Sequence, residues 1–93
     1  MPRTILITGA TAGIGKATAY RFAAENYRLI LTGRRRDLLL EVARDLKSKF
    51  VTEVFPLSFD IRHKTEVAKS LESLPDDWKN IDILINNAGL AAG

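Results

Sequence analysis

Short apolar runs alternate along the 93-residue chain with longer segments whose apolar residues return every three or four positions. Thr4–Thr8 is apolar and β-branched throughout, the pattern of a strand buried on both faces. Residues 28–32 repeat that pattern and stop at Gly33. Residues 51 to about 57 form a third strand, which admits Pro56 only near its end. Residues 81–85 make the fourth. Between them the periodicity changes to that of a helix. Residues 14 to about 25 carry Ile14, Ala17, Thr18, Arg21 and Phe22 at helical spacing, with Asn26 as a left-handed stop. Asp37 caps or begins a second helix whose buried stripe is Leu38, Leu39, Val42, Ala43, Leu46 and Phe50. Residues 64–73 support a third through Val67, Ala68, Leu71 and Leu74, and the segment Leu74-Pro75-Asp76-Asp77 breaks it.

Strand–helix units of this length point to parallel pairing with right-handed crossovers. Four strands and three intervening helices predict an α/β fold of sheet order 3-2-1-4 with helices on both faces, the first part of a doubly wound nucleotide-binding sheet. A ligand then belongs beyond the carboxyl ends of the strands, where the order switches between the first and the fourth. No repeat, low-complexity tract or linker interrupts the pattern, so residues 1–93 read as one partial domain.

Composition narrows the class without changing the fold. An apolar share of 46% with 27% charged residues describes a globular chain and excludes a disordered one. There is no cysteine, hence no disulfide framework or thiolate metal site, and a reducing, cytoplasmic setting is expected. The apolar runs are too short for a bilayer, and Met1-Pro2-Arg3-Thr4 leaves no room for a signal peptide before the first strand. The net charge of +3 is modest. Its basic residues are dispersed except at Arg34-Arg35-Arg36, so neither a nucleic acid nor a membrane is the expected partner.

The candidate chemistry collects at the ends of the strands. Thr8-Gly9-Ala10-Thr11-Ala12-Gly13-Ile14-Gly15 places three glycines between a strand and a helix, in the spacing G-x-x-x-G-x-G rather than G-x-G-x-x-G. Such a turn either simply reverses the chain or brings backbone N–H groups and a helix N-terminus against a phosphate. After the second strand, Thr32-Gly33-Arg34-Arg35-Arg36 has no carboxylate to receive a ribose 2′-hydroxyl. Guanidinium groups there suit a 2′-phosphate, which favours NADP over NAD; the other reading is a solvated charge run before a helix. Arg34 leads as the candidate, Arg35 follows, and Arg36 is expected to face solvent.

These motifs, with Asp60 after the third strand and Asn86-Asn87-Ala88-Gly89 after the fourth, resemble the short-chain dehydrogenase/reductase family, in order and at family spacing. Asp60-Ile61-Arg62, Leu74-Pro75 with Trp78, and residues 80–90 are more specifically similar to its NADP-dependent 3-hydroxy acid (serine or allo-threonine) dehydrogenase branch. The resemblance implies the N-terminal portion of a Rossmann-type fold and NADP(H) as cofactor. It further implies that Gly9, Gly13 and Gly15, with the backbone of Ala10, Thr11, Ala12 and Ile14, cradle the pyrophosphate. The Thr11 hydroxyl would add a bond, and Arg34 and Arg35 would bind the 2′-phosphate. Asp60 would meet the adenine amino group beside the Ile61 backbone, unless it merely caps the next helix. Asn87, Ala88 and Gly89 would line the nicotinamide ribose, and Asn86 would tie the sheet together. His63 is expected at the surface, and Trp78 in packing.

The family's catalytic serine, and its tyrosine and lysine at Tyr-x-x-x-Lys spacing, fall beyond the fourth strand. Tyr20 and Tyr27 are followed four residues on by Ala24 and Leu31, so no residue of these 93 is assigned a catalytic or metal-binding role. The expectation is therefore the cofactor-binding part of an NADP-dependent oxidoreductase acting on a small 3-hydroxy acid or related alcohol, a homo-oligomer, inactive as the 93 residues alone. The alternative is a non-catalytic nucleotide-binding or self-associating module. The fourth strand is apolar on both faces and expects neighbours on its open edge.

Overall fold

A computed structural model describes residues 2–60 and 62–87. Four strands, β1 (Thr4–Thr8), β2 (Arg28–Gly33), β3 (Val54–Ser58) and β4 (Ile83–Asn86), alternate with α1 (Gly13–Ala24), α2 (Arg36–Lys49) and α3 (Lys64–Glu72). A single 3₁₀ turn, Asp76–Trp78, precedes β4. All pairs are parallel, in the order β3-β2-β1-β4. The doubly wound order expected from the alternation is the one observed.

The sheet divides two cores. Ile5, Ile7, Leu29, Leu31 and Val54 point to one face, where Ala19 and Ala23 of α1 and Leu39, Val42, Ala43 and Leu46 of α2 cover them. Leu6 and Ile30 point the other way and meet Leu74 and Trp78, with Phe55, Leu57 and Leu71 packed around them. Leu71 is the contribution of α3, which buries none of its residues fully. Trp78 is a packing residue, tilted against Phe55 at 5.5 Å between ring centroids.

Three local expectations need correction. The buried face of α1 is Gly15, Ala19 and Ala23, not the stripe that begins at Ile14, which is 65% exposed. The helix lies so close to the sheet that only small residues fit at the contact. β3 begins at Val54 rather than Val51, because Val51 is almost fully exposed and only from Val54 does the chain pair with β2. Pro56 then sits mid-strand, opposite Leu31. Among the described residues β3 is an edge strand, where a missing N–H costs no ladder bond.

At the end of α1, Asn26 is left-handed, with φ 66°. Its N–H donates to the Ala23 carbonyl and that of Tyr27 to Phe22, the paired bonds of a Schellman stop. The Phe22 and Tyr27 rings meet edge to face at 4.9 Å, adding the apolar contact that accompanies this motif.

Candidate nucleotide-binding edge

The turn after β1 is shaped by how closely α1 approaches it. A Cβ on Gly15 would lie 2.0 Å from the Gly9 carbonyl oxygen, so no side chain fits there. Gly9 and Gly13 adopt φ of 61° and 58°, a region that costs an L side chain roughly 1–2 kcal/mol. Between them Ala10 is fully buried, and its N–H donates to the Thr32 carbonyl at 3.0 Å, pinning the turn to β2. Thr11 rests on Gly33, where an added Cβ would come within 2.9 Å of its methyl group. Ala12, extended and exposed, is the N-cap of α1 and offers no side chain to the helix, whose first turn holds no acidic residue. A Cβ on Gly13 would meet nothing within 4 Å. Open space therefore faces an uncapped helix N-terminus, which suits an anionic group.

Arg34 and Arg35 follow β2 at the same edge, both exposed. The Arg34 carbonyl accepts a hydrogen bond from the Ser58 hydroxyl at 3.4 Å, and its guanidinium has no hydrogen-bond or ion-pair partner among the described residues. Arg35 is the N-cap of α2 and pairs with Asp37 at 3.3 Å; this Arg35 bond, then the Leu38 N–H, holds the Asp37 carboxyl below its ordinary range. Arg36 is exposed on the first turn of α2.

After β3, the Phe59 N–H donates to the Gly33 carbonyl at 3.1 Å and brings Asp60 alongside the end of β2. The Asp60 side chain does not cap α3, whose N-cap is His63. Its carboxylate is gripped by Arg62 through the side chain and the backbone N–H, in that order of effect, and is held far below the usual carboxylate range. His63 is a surface residue beside Glu66, at 3.2 Å. Ile61, to which a backbone contact is assigned above, lies outside the described residues.

β4 is joined to β1 by a hydroxyl. Thr8 Oγ1 donates to Asn86 Oδ1 at 2.8 Å and accepts the Asn87 N–H at 2.9 Å. Asn87 is 7% exposed, and its Nδ2 has no hydrogen-bond partner among the described residues. A buried amide nitrogen of this kind costs free energy unless a partner reaches it. Ala88 and Gly89 lie outside the described residues.

The four strand ends thus bring Asp60, Arg34, the glycine turn and Asn87 to one edge, in that spatial order. An uncapped helix, an open glycine position, exposed guanidinium groups and an orphaned buried donor together suit a ligand that carries phosphate and polar groups. The residue-level reading passes over Thr8 and Arg62. A hydroxyl residue closing an apolar strand is the only signal of the first; an arginine two places after an aspartate is that of the second. A cavity of about 650 Å³ lies at the opposite, amino end of the strands, lined in part by Pro2, Tyr27 and Val51, and has no link to this edge. Tyr20 projects between α1 and α2 and donates its hydroxyl to Asp45. That bond, then burial, raises its pKa to about 12, which makes it a poor proton donor near neutrality.

Residues 3–93 match the family described as short chain dehydrogenase. The chain is 47% identical over 92 residues to the NADP-dependent 3-hydroxy acid dehydrogenase of Schizosaccharomyces pombe, covering 98% of this chain and 36% of that protein. It is 48% identical over 93 residues to the serine 3-dehydrogenase of Agrobacterium fabrum, covering 100% of this chain and again 36% of the relative. Among solved structures, the L-sorbose reductase of Gluconobacter frateurii, complexed with NADPH and L-sorbose, superposes with a TM-score of 0.83 at 36% identity, over 89% of this chain and 32% of that one. The chain spans about a third of the length of these relatives. With the parallel 3-2-1-4 sheet and the glycine turn at its switch point, these matches show that the chain belongs to the short chain dehydrogenase family.

Proposed function

We propose that these residues form the cofactor-binding part of an NADP-dependent oxidoreductase whose substrate is a small 3-hydroxy acid or related alcohol. The observation that carries the cofactor is the exposed Arg34 guanidinium at the end of β2, at a place with no carboxylate before Asp37. The names of the relatives support the substrate class. When bound, the nicotinamide supplies or accepts a hydride; the protein's part is to hold the two ends of the cofactor.

Strand spacing puts Asp60 and Asn87 about 14 Å apart across three intervals of the sheet. Adenosine is assigned to the β3–β2 side and nicotinamide to the β4 side. The N–H groups at the start of α1, around Gly13, Ile14 and Gly15, hold the pyrophosphate. Thr11 adds its hydroxyl, and Ala10, whose N–H is committed to Thr32, fixes the turn. Arg34 and Arg35 neutralise the 2′-phosphate, Asp60 accepts from the adenine amino group, and Nδ2 of Asn87 finds its partner on the nicotinamide ribose. Exposed Ile14 gives the cofactor an apolar surface. Hydride transfer also needs a group that moves a proton, and the 93 residues hold no Tyr-x-x-x-Lys pair. We therefore assign them binding without turnover. A homo-oligomer is part of the same reading, supported by exposed Leu84 and the open edge of β4. So is a cytoplasmic location, since a cysteine-free chain is indifferent to a reducing compartment.

The test is equilibrium binding of NADPH and NADH to the intact protein. NADPH is expected to bind at least tenfold tighter. Arg34→Ala should cost NADPH about 1.5–3 kcal/mol, the worth of a charged hydrogen bond, and leave NADH nearly unchanged. Equal affinities in the unaltered protein, or an indifferent Arg34→Ala, would sink the assignment.

A further inference from the structure

On the proposed reading, the adenine end of the site rests on Asp60, yet its carboxylate already has company. Oδ1 accepts from the Arg62 backbone N–H at 3.0 Å and from Nε at 3.1 Å. Oδ2 accepts from Nη2 at 2.8 Å, with Nε at 3.3 Å shared between the two oxygens. An ionised carboxylate offers about four acceptor positions. Three donor hydrogens fill three of them; the fourth, on Oδ2, holds only the long 3.3 Å arm of the shared Nε–H and is the one open to a further donor. The Asp60 side chain keeps 15% of its surface exposed while the Arg62 side chain is 69% exposed, so one more donor can reach the carboxylate from outside.

We infer that Arg62 is a positioning residue for adenine recognition: its fork and its backbone N–H turn the Asp60 carboxylate so that one remaining lone pair faces an exocyclic amino group. This rests on the assignment of Asp60 to adenine. A carboxylate on a short side chain otherwise rotates between several directions, and ordering it during binding weakens affinity. A bidentate guanidinium fixes the plane as well as the charge; a lysine supplies charge without the plane. A fork that instead sealed Asp60 would have the opposite effect, because removing it would free the carboxylate and tighten binding.

The two cases separate in the intact protein when NADPH is compared with its hypoxanthine analogue, which lacks the exocyclic amino group. Dissociation constants for both are read by cofactor fluorescence in the unaltered protein, Arg62→Ala and Arg62→Lys. The unaltered protein is expected to favour NADPH about tenfold. Arg62→Ala should shrink that ratio to about twofold by weakening NADPH alone, and Arg62→Lys should restore it only in part. Analogue affinity, expected to stay constant, reports any general damage to the fold. A ratio that persists in Arg62→Ala, or NADPH that binds tighter there, overturns the role of Arg62 and leaves Asp60 in place. Equal affinity for both cofactors in the unaltered protein overturns the Asp60 assignment and this inference with it.

Discussion

Gly13 and Gly15 are both glycines for reasons a substitution can tell apart. At Gly15 a methyl group would strike the Gly9 carbonyl at 2.0 Å, so α1 must shift from the sheet. Gly15→Ala is expected to cost about 3 kcal/mol of unfolding free energy, at the upper end of overpacking effects. At Gly13 the methyl has room, and only the left-handed backbone objects. Gly13→Ala should cost about 1 kcal/mol and abolish most of the stabilisation that saturating NADPH confers, because the methyl projects into the proposed phosphate space. Urea unfolding of both variants with and without NADPH makes the comparison. The glycines and Arg34 stood out in the sequence from their own residue types and positions, and Asp60 only through the family resemblance. Thr8 did not: its hydroxyl matters only because β4, nearly eighty residues later, ends beside it. The grip of Arg62 on Asp60 depends on a turn whose shape no spacing rule states.

Helical periodicity located α1 but assigned it the wrong face, since an apolar stripe identifies the buried side only where the helix has room for large residues. Here Gly15, Ala19 and Ala23 do the packing, and small residues carry little hydrophobic signal. α2 packs through larger residues and buries Leu39, Val42 and Leu46 as its pattern indicated. The two helices are tied by Tyr20 and Asp45, with Lys49 3.3 Å from that carboxylate and 5.6 Å above the tyrosine ring. The tie has a signature in pH. The folded pKa of Tyr20 is raised from 10.0 to about 12, its hydrogen bond to Asp45 contributing most. Its contribution to stability is thus fully present below pH 10 and lost as pH rises towards 12. Asp45 is the mirror case: the Tyr20 hydroxyl, then Lys49, lowers its pKa, so its contribution is present above the ordinary value of 3.8 and lost in stronger acid. Absorbance titration at alkaline pH should show Tyr20 ionising above the ordinary tyrosine value of 10.0. Tyr20→Phe should flatten the fall in stability between pH 10 and 12, and an unchanged slope would show that the tie contributes nothing.

Across the whole molecule the two ends of the sheet are held differently. At the amino end Arg28 joins three segments. It pairs with Glu53 at 3.0 Å and Asp77 at 3.4 Å, and stacks its guanidinium 3.9 Å over Trp78. Beside it, the Thr4 N–H donates to the Asp82 carboxylate at 2.9 Å. At the carboxyl end, backbone bonds and the Thr8 hydroxyl hold the strands, and the ion pairs there, Arg35 with Asp37 and Arg62 with Asp60, stay within one strand end instead of crossing the sheet. The face of β4 that carries Leu84 is uncovered among the described residues, Leu84 being 65% exposed. In the intact protein a neighbour is expected there, so Leu84→Lys should cost about 2 kcal/mol, the worth of a buried leucine. A urea midpoint that does not move would show that this face stays bare. The alternation of strands and helices made the sheet order readable in advance. What covers β4 depends on contacts that its own four residues do not encode.

The exposure of Arg34 has a consequence for how this protein could change. Its side chain is exposed and makes no hydrogen bond or ion pair among the described residues, and its backbone is held through a carbonyl that any residue would supply. On the proposed reading, the choice of coenzyme is therefore uncoupled from the stability of the domain. A descendant could exchange the guanidinium for a carboxylate, and one nicotinamide pool for another, without first passing through an unfolded intermediate sequence.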